Sequence, residues 1–208
     1  MRPVLLRRAL SIQELDDDSW LSSSLIDLVI GKLSKAYSRT HFMSIDFVVL
    51  SLKNKSFQGI TDISGRVIDY RETTPIVFIV NNEGIHWQCV RVVRGKDPRL
   101  ELFEPMGKPE HRHGGLGSRD LPRCVIEWLD HCCPLKGEVK KSWLTLGVSA
   151  ITERQQLNSH DCGVAALLYA ERCGLGHTAE DINTVRQADI SAYRQLLKGF
   201  TMRVQELD

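Results

Sequence analysis

The chain has 208 residues, 42% of them hydrophobic and 25% charged, with a formal net charge of +1. That composition suits a globular protein of one enzyme-sized domain, and the near-neutral balance gives no general attraction to nucleic acid or an anionic membrane. No run of about 18 apolar residues exists to suggest a transmembrane helix, and Met1–Leu10 has too short an apolar stretch between its arginines for a secretory signal.

In chain order, Leu21, Leu25, Leu28, Val29 and Leu33 fall on one helical stripe and predict a helix over Trp20–Ala36. Ile45–Leu52 reads as a strand or a buried segment. Ile76–Val80 and Ile85–Val93 read as two strands joined by a turn at residues 81–84, with His86 at the start of the second. A turn over Arg94–Pro98 leads into Leu100–Glu104, which Pro105–Gly107 ends. If the last two strands pair antiparallel, their far ends meet and Glu104 comes near His86, although a loop of this length allows several registers.

Residues 107–120, with glycines at 107, 114, 115 and 117, read as a solvated connection; a loop bordering a site next to Glu104 is the other reading. Val125, Ile126 and Leu129 predict an amphipathic helix over Leu121–Leu129, with Cys132 and Cys133 buried beyond it. Leu144–Ile151 reads as a strand feeding the loop at Gln156. Val164, Ala165, Leu167 and Leu168 predict a helix of about three turns that Gly174 stops, with Asp161 as N-cap. Thr178–Asp181 carries a capping signal, and Ile190–Phe200 has helical periodicity. No internal repeat is present.

The six cysteines (Cys89, Cys124, Cys132, Cys133, Cys162 and Cys173) show no framework spacing, which points to a reduced compartment. His111, His113, His131, Cys132 and Cys133 lack the paired spacing of a zinc site, so no metal and no cofactor are expected.

Cys162 is the residue around which chemistry can be assembled. A thiol in the first turn of a helix faces unpaired backbone N–H groups and the positive end of the helix dipole, and both favour thiolate. His86 could take the thiol proton or hold an ion pair with the thiolate, then protonate a leaving amine. Glu104 could orient the ring. Gln156 could turn a side-chain N–H toward a developing oxyanion, beside a backbone N–H at Cys162. Each has an ordinary structural reading when taken singly: a small buried cysteine, a satisfied histidine, a solvated glutamate, a glutamine capping backbone.

Taken together, His86-Trp87, Glu104 within Phe103–Gly107, and Gln156-Leu-Asn-Ser-His-Asp-Cys162-Gly163 resemble the cysteine proteases specific for ubiquitin-like modifiers, the SUMO and Nedd-type deconjugating enzymes and the related adenain. Asp18-Ser-Trp20-Leu21 resembles the family's early Trp-Leu segment. The resemblance implies an α+β, papain-like fold with a central, mostly antiparallel sheet, flanking helices and the nucleophile at a helix N-terminus. It implies one catalytic domain spanning residues 1–208, working as a monomer on a ubiquitin-like modifier and its conjugates, without nucleic acid or membrane.

It further implies that Cys162, His86 and Glu104 form the triad, that Gln156 serves the oxyanion, and that Trp20 and Trp87 wall a tunnel for a Gly-Gly tail; Trp20 as a core aromatic is the alternative. The chain departs from the pattern at Glu104, where cellular members carry Asp, and at Ser22–Ser24, where Asn-Asp is missing. Two other functions fit the same residue types: an acetyltransferase of the related His-Glu-Cys class, and an inactive modifier-binding module. An intracellular address is expected, in its own cell or after delivery into a host cell.

Overall fold

The computed structural model describes residues 15–16, 18–46, 60–69, 71–82, 85–107, 123–135, 142–146, 148–150 and 153–205. Helix α1 (Ser23–Ala36) begins where Ser22 accepts a hydrogen bond from Leu25 N at 3.3 Å, and its buried face is Leu25, Ile26, Val29, Ile30 and Leu33. The serine run is thus a helix start signal. Trp20 and Leu21 lie ahead of the helix, not in it as the stripe suggested.

Strands β1 (His41–Phe42), β2 (Ile76–Asn82), β3 (His86–Val93), β4 (Arg99–Phe103) and β5 (Val148–Ala150) form one sheet in that order. The sheet is mostly antiparallel as expected, through β2–β3 and β3–β4, and is mixed at its edges, where β1–β2 and β4–β5 are parallel. Connection length explains the difference, because hairpin loops join only the central strands, whereas a parallel neighbour needs a long crossover.

Both faces of the sheet are covered. Period-two alternation sends Val77, Ile79, Trp87, Cys89 and Phe103 to a core shared with α1, helix α3 (Cys162–Gly174) and helix α5 (Gln187–Gln205). Ile76, Phe78, Val80, Val90, Val92, Leu100 and Leu102 face the other way, against Val125, Trp128 and Leu129 of helix α2 (Arg123–Cys132) and against Trp143. Phe78 and Trp128 meet edge-on, with ring centroids 5.3 Å apart.

Several local expectations changed. The strand expected over Leu144–Ile151 is a 3-10 turn, Trp143–Thr145, followed by the short β5. Asp130 holds that turn, accepting from Ser142 Oγ at 2.6 Å and Trp143 N at 2.8 Å. Ile45 is not in a strand; its N–H donates to Asp27 at 3.0 Å, and residues 47–52 lie outside the described residues. The loop beyond Gly107 also lies outside them. Helix α4 (Ala179–Asn183) carries the expected capping box between Thr178 and Asp181, and α5 extends past both ends of its predicted span.

Cys133 is buried as expected, but Cys132 is only half-buried, its thiol pushed up to about 12 by burial and then by the neighbouring Cys133. Among the described residues no group of three or more metal-ligating side chains occurs, and His111 and His113 lie outside them. No helix among the described residues is long and apolar enough to cross a membrane.

Candidate active site

The register between β3 and β4 brings the candidate acid and base together. Cys89 pairs with Phe103, so Glu104, one residue past the strand, falls level with Gln88. His86 and Gln88 share a face of β3 because side chains repeat every second residue. Glu104 meets both: its Oε1 lies 2.6 Å from His86 Nε2, and its Oε2 accepts from Gln88 Nε2. A third hydrogen bond, from Met106 N to Oε1 at 2.9 Å, fixes the carboxylate. The extra methylene of Glu relative to Asp therefore leaves the ring within reach.

Cys162 is the first residue of α3, and its side chain acts on the His86 ring closely enough to raise the ring's pKa. Glu104 occupies Nε2, which leaves Nδ1 for the sulfur. Burial pulls the His86 pKa down, but the hydrogen bonds with Cys162 and Glu104 and the charges of both outweigh it, and the ring is pushed up to about 9. An imidazolium at neutral pH, flanked by sulfur and carboxylate, is the result. Cys162 is 2% exposed, whereas the His86 side chain is 22% exposed and carries the solvent-facing edge of the trio.

The loop before Cys162 is anchored to the loop after Glu104. Pro105 O accepts from Gln155 N at 3.1 Å and Gln156 N at 2.9 Å. Gly107, at φ +71°, completes the join: a Cβ there would sit 2.6 Å from Arg154 N. Gly107→Ala should therefore lower stability by about 1–3 kcal/mol, through strain and the backbone collision, as read by urea denaturation. A wild-type midpoint would show that the join is not tight.

Asp161 occupies the N-cap position as expected, but its side chain makes no capping bond. The expectation is corrected by tertiary partners: Asp161 accepts from Arg194 Nε, Asn158 Nδ2 and Gln187 Nε2, each at 2.7 Å. A capping carboxylate would occupy the N–H groups that an oxyanion needs at this helix start; this one is engaged elsewhere. Asn158 folds the loop from within, its Oδ1 accepting from Asp161 N at 3.0 Å.

Gln156 is buried beside these groups. Its Nε2 donates to Asn158 O at 2.7 Å and to Asn158 Oδ1 at 3.3 Å, and its Oε1 has no partner among the described residues. Trp87 is 3% exposed and belongs to the core, with Cδ1 lying 3.2 Å from where a Cβ of Gly163 would stand. Leu21 closes on the same point at 3.1 Å, so any side chain at position 163 would press on both by a few tenths of an ångström. Trp20 is 46% exposed, which disposes of a core role.

Gln88, Asn158, Asp161 and Arg194 support the site without having been singled out for these roles. Gln88 had a signal, two residues beyond His86 on the same strand face, and Asn158 lay within the motif. Arg194, 33 residues beyond Asp161, had none.

No protein-family model matches the sequence, and no curated protein is significantly similar to it. Solved structures do match. The C-terminal Ulp1 protease domain in complex with Smt3, the yeast ortholog of SUMO, is similar over 92% of this chain and 80% of its own, at 14% identity and a TM-score of 0.64. The ASFV pS273R protease is similar over 86% of this chain and 67% of its own, at 17% identity and a TM-score of 0.56. The Xanthomonas campestris effector protein XopD, bound to ubiquitin, is similar over 86% of this chain and 91% of its own, at 12% identity and a TM-score of 0.51. The chain has the α+β, papain-like fold of the Ulp1-type cysteine proteases.

Proposed function

We propose that the protein is a cysteine peptidase that cleaves after the C-terminal Gly-Gly of a ubiquitin-like modifier, releasing it from a lysine. The observation that carries this reading is the convergence of Cys162, at a helix start, and Glu104, hydrogen-bonded to the ring at 2.6 Å, on His86, whose pKa both raise. The fold agrees, since the similar Ulp1 and XopD structures hold Smt3 and ubiquitin.

In this mechanism the Cys162 thiolate attacks the carbonyl carbon of the last glycine while the His86 imidazolium stands ready as acid. Collapse of the tetrahedral intermediate breaks the C–N bond, and His86 gives its proton to the lysine amine. Neutral His86 then takes a proton from water, whose oxygen attacks the thioester and releases the carboxylate and Cys162. Glu104 keeps the ring oriented and stabilises its charge. Trp20, facing solvent, meets the incoming tail, and Trp87 backs the nucleophile from the core.

Gln156 supplies an oxyanion donor by turning its long, 3.3 Å N–H away from Asn158 while the 2.7 Å bond holds the amide in place. Gln156→Ala should lower kcat by about 10²-fold or more with little change in KM. Unchanged kcat would remove Gln156 from the mechanism.

The deciding experiment is a panel of electrophilic probes built on the tails of SUMO, ubiquitin and Nedd-type modifiers. A covalent adduct at Cys162 with at least one of them, blocked by Cys162→Ala, supports the assignment. Absence of any adduct, with no turnover of di-modifier substrates, overturns it.

A further inference from the structure

One guanidinium touches both halves of the site. Arg194, on α5, is 2% exposed and reaches two chain segments, 16–19 and 160–161. Nε donates to Asp161 Oδ1 at 2.7 Å, next to the nucleophile. Nη1 donates to Asp16 O at 3.0 Å, and Nη2 to Ser19 O at 3.0 Å, immediately ahead of Trp20. A longer bond from Nη2 meets His160 O at 3.4 Å. One turn further along α5, Lys198 Nζ pairs with Asp16 Oδ1 at 3.0 Å.

Leu15, fully buried in the core, holds the start of the segment so gripped, and Asp18 pairs with His160 at 3.8 Å. Trp20 itself is half-exposed and outside the core, and among the described residues the turn before it carries the backbone bond from Ser19 N to Asp16 O at 3.0 Å. On the far side of Trp20, Leu21 packs against Gly163. Trp20 is therefore suspended between two anchors, and both lead to the start of α3. The buried ion pair is also one-directional in consequence: removing either partner leaves a charge without its counter-ion in the interior.

We propose that Arg194 is a positioning residue that sets the place of Trp20 relative to Cys162, and so fixes where a substrate tail lies when the sulfur attacks. The tail-positioning part rests on the peptidase reading above; the link between Trp20 and Cys162 does not. The fork geometry matters. Arginine can bond a carboxylate and two carbonyls from one plane, whereas lysine, with a point charge, can satisfy Asp161 but cannot span to residues 16 and 19 as well. The two arms of the clamp are therefore separable by substitution.

The test uses Arg194→Lys, Arg194→Met and Asp161→Asn in the whole chain, with folding checked by circular dichroism. Tryptophan fluorescence reads the first arm directly. Trp87, Trp128 and Trp143 are at most 3% exposed, so acrylamide quenching reports Trp20. Alkylation of Cys162 by chloroacetamide, followed by peptide mass spectrometry, reads the second arm without any modifier.

Arg194→Lys should change Trp20 quenching and raise KM about tenfold, the scale of a lost charge-assisted hydrogen bond, while the Cys162 alkylation rate holds. Asp161→Asn should alter the alkylation rate, and Arg194→Met should alter both readouts. Wild-type quenching in folded Arg194→Lys overturns the clamp whatever the kinetics. If Arg194→Met fails to fold, the lysine variant still decides. If the wild-type protein cleaves no modifier substrate, the peptidase reading fails, while quenching and alkylation continue to test the link.

Discussion

Cys162→Ala is expected to abolish turnover, lowering kcat/KM by about 10⁴-fold or more, because no second group in the trio can form the acyl intermediate. The substitution is mild for the fold. Alanine is the best helix former, and position 162 opens α3 on a buried surface where a smaller side chain removes only the sulfur. Binding of the intact modifier should survive, so the variant ought to retain its substrate in a pull-down while losing hydrolysis. Residual turnover near the wild-type rate would show that the sulfur is not the nucleophile, and the mechanism would have to be abandoned.

Glu104→Gln is the sharper electrostatic test, with an expected loss in kcat/KM of about 10²- to 10⁴-fold. The site can accommodate the amide. Glu104 Oε1 accepts from His86 and Met106 N, and a glutamine oxygen can keep that place. The new NH2 would face Gln88 Nε2, but Gln88 Oε1 has no partner, so rotating that amide restores a donor–acceptor match. What disappears is charge. Burial already works against the imidazolium, and without the carboxylate only Cys162 remains of the two groups that push the ring up to about 9.

The pH dependence follows in sign. His86 is raised above its ordinary 6.5, so the stability from its pairing is fully present below 6.5 and is lost as pH rises through about 9. The alkaline limb of kcat/KM in the wild-type protein should fall near the same value, and in Glu104→Gln it should move to lower pH. The stability gap between the two proteins should be widest at about pH 6 and narrow above about pH 9. An alkaline limb at the same pH in both would show that Glu104 does not govern the ring.

The parts of the site that could be read from the residue order are those governed by short-range rules. Period-two patterning and short connections brought His86 and Glu104 to neighbouring strand ends, and 3.6-residue spacing put Cys162 at a helix start; the register between the strands stayed open, because a turn of that length allows several, and only the pairing of Cys89 with Phe103 fixed it. The parallel outer strands were illegible because they depend on crossovers, which no local pattern encodes. Asp161 was read through its local preference for the N-cap, and a partner 33 residues away overrode that preference. Leu144 looked like the start of a strand because apolar runs do not distinguish strand from turn, and Asp130 decided the outcome from another helix. Of the two readings of Trp20, the core one falls to its exposure, a property the residue order does not carry.

The Pro105 carbonyl, shared by Gln155 and Gln156 N–H, has a consequence for how such proteins can diversify. It makes the segment carrying Glu104 and the segment carrying Gln156 a single mechanical body, so substitutions on either side of the seam are expected to show energetic coupling instead of simple addition.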